Sequence, residues 1–110
     1  MCLGIAMGGS LPKKNKSIYI IGANTDQIQK QKNLLTAQGY NVLDLFRVLE
    51  ALPGITENCI SRVRLTIVDI CDEIFVMDDW NKSPEAMVDF KYAMGMGKKI
   101  RYEKENNAND

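Results

Sequence analysis

The chain is expected to fold as a small parallel α/β sheet of four to five strands, doubly wound, with helices on both faces. Three observations lead there. The apolar runs Ser17–Gly22, Tyr40–Leu45 and Ile74–Met77 are short and nearly continuous rather than alternating, as strands buried on both faces require. They alternate with longer segments whose apolar residues recur at helical spacing. Polar capping residues stand where the helices after Gly22 and after Lys82 should begin, and glycines where both should end. Right-handed crossovers make 2-1-3-4 the simplest strand order, with a crevice between the first and third strands. Such a sheet is flavodoxin- or Rossmann-like.

At 110 residues the chain holds one domain, expected over 17–102, with a flexible leader at 1–16 and a disordered polar tail at 103–110. Fourteen basic residues balance fourteen acidic ones, which argues against a nucleic-acid polymer as partner. The opening residues lack the basic and apolar regions of a secretory signal. No later run is long enough to span a bilayer, so no membrane partner is expected. Three widely spaced cysteines and no histidine suggest neither a disulfide framework nor a metal site, and fit a reduced, cytoplasmic compartment. Without histidine, acid–base work falls to carboxylates, tyrosine, lysine or water.

In chain order, Lys13, Lys14 and Lys16 form a solvated lead-in, with phosphate binding as the lesser reading. The first strand ends at Gly22, and Ala23-Asn24-Thr25-Asp26 supplies helix caps. This turn lies at the carboxyl edge of the sheet, where free amides and the helix dipole favour anions; a plain capped turn would look the same. A polar helix follows over 24–38, carrying a thin stripe of Ile28 and Leu35 with Leu34, and stops at Gly39. Tyr40–Leu45 is the second strand. The segment 46–56 reads as a long loop around Pro53-Gly54. Helix 56–71 packs Ile60, Val63, Ile67 and Cys71 on one stripe, and Arg64 falls about 40° from its centre, at about 100° per residue. Lys98–Tyr102 is a charged final strand suited to an edge.

The most informative stretch is Asp72–Ile100. An apolar strand is closed by Asp78, Asp79 and Trp80, and Ser83-Pro84 then opens a helix with Ser83 as N-cap and proline in its first turn. Ala86, Phe90, Ala93, Met94 and Gly97 share one face of that helix, with Asp89 at the edge of the stripe. Helical side chains lean toward the N-terminus, so Asp89 points back to the loop at the strand ends.

The pattern W-x-x-S-x-x-A-x-x-D-x-x-x-A-x-x-x-G-K-x-I resembles the closing segment of nucleoside 2-deoxyribosyltransferase-like domains, which include deoxynucleoside 5′-phosphate N-hydrolases. Tyr19-Ile20-Ile21-Gly22-Ala23-Asn24-Thr25 resembles the family's first strand and loop. The resemblance implies that Asp89 stands where the family has a glutamate nucleophile, here one methylene shorter. It also implies that Ser83 contacts the sugar or 5′-phosphate end. Arg64 occupies a position that is usually an aspartate. That exchange permits a buried Arg64–Asp89 ion pair, expected to lower the Asp89 pKa and keep it anionic; alternatively, Arg64 runs past the sheet edge to solvent.

The resemblance thus implies cleavage or transfer of the N-glycosidic bond of a small deoxynucleoside or deoxynucleotide, with no cofactor and no metal. Asp89 would be the nucleophile, Arg64 its neighbour, and Glu85 or Asp79 the group that assists departure of the base. Tyr19, Gly22, Ala23, Asn24, Asp79, Trp80 and Ser83 are the candidate substrate-binding residues. Glu85 equally suits a helix N-terminus. Family members commonly assemble as dimers or larger, so a homo-oligomer is expected. The alternative is a binding or regulatory module that kept the fold and lost the chemistry.

Overall fold

The computed structural model describes residues 15–104. Most of the expected leader, with Lys13 and Lys14, and the tail beyond Lys104 lie outside them. Four parallel strands, β1 (Ser17–Ile21), β2 (Asn41–Val42), β3 (Glu73–Val76) and β4 (Lys99–Tyr102), form one sheet in the order β2-β1-β3-β4. Helices α1 (Thr25–Ala37), α2 (Leu45–Glu50), α3 (Glu57–Ile70) and α4 (Pro84–Gly95) make the connections. The α/β class and strand order are those the sequence predicts.

β1 and β3 are central, and their continuous apolar runs are buried on both faces: Ile18, Ile20, Ile21, Ile74, Phe75 and Val76 all lie inside. One face packs Tyr19, Ile21, Ile74 and Val76 against Ile67, Val68 and Cys71 of the α3 side and Ala86 and Ala93 of α4. The other packs Ile18, Ile20, Phe75 and Met77 with Leu35 of α1. Leu34, expected to help the α1 stripe, is 57% exposed, and Gln31 is buried instead.

Helix starts follow the capping residues. Asn24, Thr56 and Ser83 each accept a backbone N–H from the first turn of α1, α3 and α4. Gly39 and Gly97, at φ +98° and +72°, follow the C-caps of α1 and α4, where an L side chain would be strained.

The second strand is shorter than expected, and the expected long loop begins with a helix. Asp44 explains both. Its Oδ1 accepts from Phe46 N at 2.9 Å, which turns the chain into α2 directly after Leu43, whose N–H makes the last bond to β1, at Ile18 O, 2.9 Å.

At the opposite end of the sheet Glu73 is 1% exposed. Arg101 Nε and Tyr40 Oη donate to its Oε1 at 2.6 and 3.1 Å, while Lys16 and Lys99 stand 3.4 and 3.8 Å from Oε2. Lys16 is therefore committed to this end. Burial alone would raise the Glu73 pKa, but the Arg101 hydrogen bond and charge, with Tyr40 and Lys16, hold it below its ordinary value. A depressed folded pKa adds stability above the unfolded value, lost as pH falls through the folded one. Glu73→Gln is expected to flatten the acid limb of a Tm-against-pH curve; an unchanged limb would exclude this cluster as its source.

Candidate active site

A cavity of about 620 Å³ opens over the carboxyl ends of β1 and β2. Its walls come from β1 and the following loop (Tyr19, Gly22, Ala23), α1 (Ile28, Lys32), and the turn into α2 (Leu43, Asp44, Phe46). Arg64 of α3 and Ser83, Glu85, Ala86 and Asp89 at the start of α4 complete it.

Asp89 lies well inside rather than at an edge: with Ala86 and Ala93 it occupies the buried face of α4 and is only 3% exposed. Small residues above and below bring the helix close to the sheet, and the carboxylate meets α3 there. Arg64, also buried, donates from Nε to Asp89 Oδ1 at 2.7 Å. The stem of Arg64 therefore runs inward, not out to solvent. Among the described residues nothing hydrogen-bonds Asp89 Oδ2. The effect on titration differs from the expectation. Burial raises the Asp89 pKa by more than Arg64 lowers it, and the charge of Glu85 raises it further.

Tyr19 lines the cavity close enough to the pair to sense it. Burial pushes its phenol well above the ordinary tyrosine value; the charge of Asp89 adds to this and that of Arg64 opposes it. The hydroxyl is held protonated, as a donor. Ser83 Oγ accepts from Ala86 N and donates to Glu85 Oε1, both at 3.2 Å, so the N-cap also orients Glu85.

Asp79 and Trp80 stand apart from this cavity. Asp79 Oδ1 and Oδ2 accept from Ala23 N and Asn24 N, each at 3.0 Å, tying the loop after β3 to the loop after β1. That tie closes the crevice expected between the first and third strands, and the open space falls on the β2 side instead. Trp80 packs on Phe90, ring centroids 4.5 Å apart, and lines a smaller recess with Val76 and Tyr102. Gly22 lets the two loops meet. A Cβ there would lie 2.7 Å from Met77 Cγ, 3.0 Å from Met77 Cβ and 3.2 Å from Asp79 Oδ1. Gly22→Ala is expected to cost about 1–3 kcal/mol by overpacking, read from urea unfolding; an unperturbed midpoint would refute the close approach.

The sequence reading did not single out Lys32 and Asp44. Lys32 Nζ and Asp44 Oδ2 form a part-buried pair at 2.7 Å in the cavity wall. The signal for Asp44 was the cap position before Leu45-Phe46; Lys32 had none, because only the fold brings it there.

Among the described residues no cluster of three or more metal-ligating side chains occurs, and no helix is long and apolar enough to cross a membrane.

No curated protein matches this chain. Among solved structures, a CMP N-glycosidase of Clostridium botulinum, BcmB, is similar to it with a TM-score of 0.57 and 22% identity, over 83% of this chain and 73% of that one. The likeness extends to the fold. A family model described as a domain of unknown function, DUF4406, matches residues 17–102, which is the whole sheet with its helices, and the chain belongs to that family.

Proposed function

We propose that the protein cleaves or transfers the N-glycosidic bond of a small 2′-deoxynucleoside or its monophosphate, with Asp89 as nucleophile. The observation that carries this reading is a buried carboxylate facing a cavity of about 620 Å³, with Oδ1 held by Arg64 and Oδ2 without a partner among the described residues. Oδ2 would attack the anomeric carbon as the base departs, and water or a second base would resolve the glycosyl-enzyme, as in retaining glycosidases. Glu85, one turn ahead and oriented by Ser83, would assist departure of the base. Tyr19 offers a hydroxyl donor toward the sugar. Ile28, Leu43 and Phe46 offer an apolar wall of the kind a base would stack on. The likeness to a CMP N-glycosidase agrees with this class of chemistry. Because Asp79 is engaged by backbone amides, Glu85 is preferred over it as the acid.

The Arg64–Asp89 bond also favours a second reading, a site that binds such ligands without turning them over. A carboxylate that spends one oxygen on a guanidinium is a weaker nucleophile. The test is base release from deoxynucleosides and their monophosphates, with and without an acceptor base, alongside Arg64→Asp. Release by the natural protein supports the enzyme, and acceptor dependence marks a transferase. Binding without release, with turnover appearing in Arg64→Asp, supports the dormant site. Neither binding nor release would sink both readings.

A further inference from the structure

We infer that the cavity selects a ligand that is uncharged at its sugar 5′ end, a nucleoside rather than a nucleoside phosphate. The inference rests on the glycosidic reading of the site and narrows it.

Two independent observations carry it. The first is that several of the amides in the turn after β1, where a phosphate would be sought, are already filled from within. The turn after β1 presents Ala23 N and Asn24 N at the start of α1, the kind of place where the helix dipole and free N–H groups draw anions. Both are taken by the two oxygens of Asp79, at 3.0 Å each. A third amide of this turn, Gln27 N, is taken by the side chain of Asn24 at 3.0 Å. An incoming phosphate would have to displace a bidentate carboxylate and then sit beside it.

The second is the charge of the cavity itself. Its lining carries four carboxylates, Asp26, Asp44, Glu85 and Asp89, against two cations, Lys32 and Arg64. Neither cation is free: Lys32 is bonded to Asp44 and Arg64 to Asp89, each at 2.7 Å. Lys16 is drawn to Glu73 at the far end of the sheet. Among the described residues lining the cavity, no cation remains to neutralise a phosphate, while Asp26 and Glu85 would repel it. Asp26 and Glu85 are exposed, so this repulsion is screened by salt, but no free cation of the lining offsets it. A neutral 5′-hydroxyl meets neither obstacle, and can donate to a cavity carboxylate.

The test is calorimetric titration of the natural protein with the common 2′-deoxynucleosides and, separately, their 5′-monophosphates, at low and high salt. Nucleosides are expected to bind at least about tenfold more tightly, with the gap narrowing at high salt as repulsion is screened. Asp79→Ser, which frees the two amides, is expected to gain monophosphate affinity without gaining nucleoside affinity. Asp26→Asn, a change on an exposed turn that leaves the loop tie intact, is expected to do the same to a smaller degree. Monophosphates binding as tightly as nucleosides would overturn the selectivity and leave the glycosidic reading standing. A nucleoside preference unchanged in both variants would overturn its electrostatic origin. Failure of both ligand classes to bind would overturn the selectivity and the reading beneath it.

Discussion

Asp89→Ala is expected to abolish base release, by about three orders of magnitude or more, since loss of the proposed nucleophile would remove the covalent route rather than weaken it. Asp89→Asn, nearly the same shape, should do the same. Circular dichroism and thermal melts of both variants separate lost chemistry from lost structure. The natural protein also makes a prediction in pH. On the proposed mechanism only the carboxylate attacks, so activity should rise with pH as Asp89 loses its proton. Burial places that step above the ordinary aspartate range despite Arg64. The acid limb of kcat should therefore lie higher than for an exposed aspartate, and Arg64→Gln should move it higher still. An acid limb at the ordinary aspartate value would show that Asp89 is not the group titrated.

Arg64→Leu is the second large effect, this time on stability. The guanidinium and the carboxylate are both nearly sealed from water, with side chains 10% and 4% exposed. Removing one partner leaves a buried charge unpaired, which typically costs about 3–5 kcal/mol, or roughly 15 °C or more in Tm for a domain of this size. The loss should depend on pH in a defined direction. Without Arg64, burial and Glu85 both raise the folded pKa of Asp89 above its unfolded value. Stability is then fully present below the unfolded value and lost as pH rises through the folded one. The deficit of Arg64→Leu should accordingly shrink in acid. Adding Asp89→Leu should recover much of it, because an apolar pair needs no compensation. A deficit constant from acid to neutral pH would assign the cost to packing instead.

The residues explain what sequence could and could not disclose. Continuous apolar strands and capped helices are local signals, and they disclosed the fold class, the strand order, three of the four helices, the cap at Ser83 and the capping stretch that holds Asn24. Asp89 and Arg64 were legible as a possible pair because helical spacing places each on a packed face. Their balance was not legible: whether burial or a partner governs a pKa depends on how far water is excluded, which is a property of the assembled core. Asp79 was misleading for a related reason. A carboxylate at a strand end looks alike whether it faces ligand or backbone, and only the approach permitted at Gly22 decides. The short helix at Leu45–Glu50 was obscured by its length, too short for a period to stand out from a loop.

The arrangement of the two central strands also bears on the order in which the chain assembles. Contacts among α3, β3, α4 and β4 join nearby stretches; Arg101 reaches Glu73 across 28 residues and Arg64 of α3 reaches Asp89 across 25. Docking β1 beside β3 is a longer step, with Ser17 meeting Asp72 across 55 residues. Loop closure over a longer separation costs more entropy before any contact returns it. The carboxyl-terminal β–α–β unit is thus expected to form early and to act as the template on which β1 settles. Substitutions at its interior, such as Ala93→Gly, should slow folding, whereas those in α1, such as Leu35→Ala, should mainly hasten unfolding.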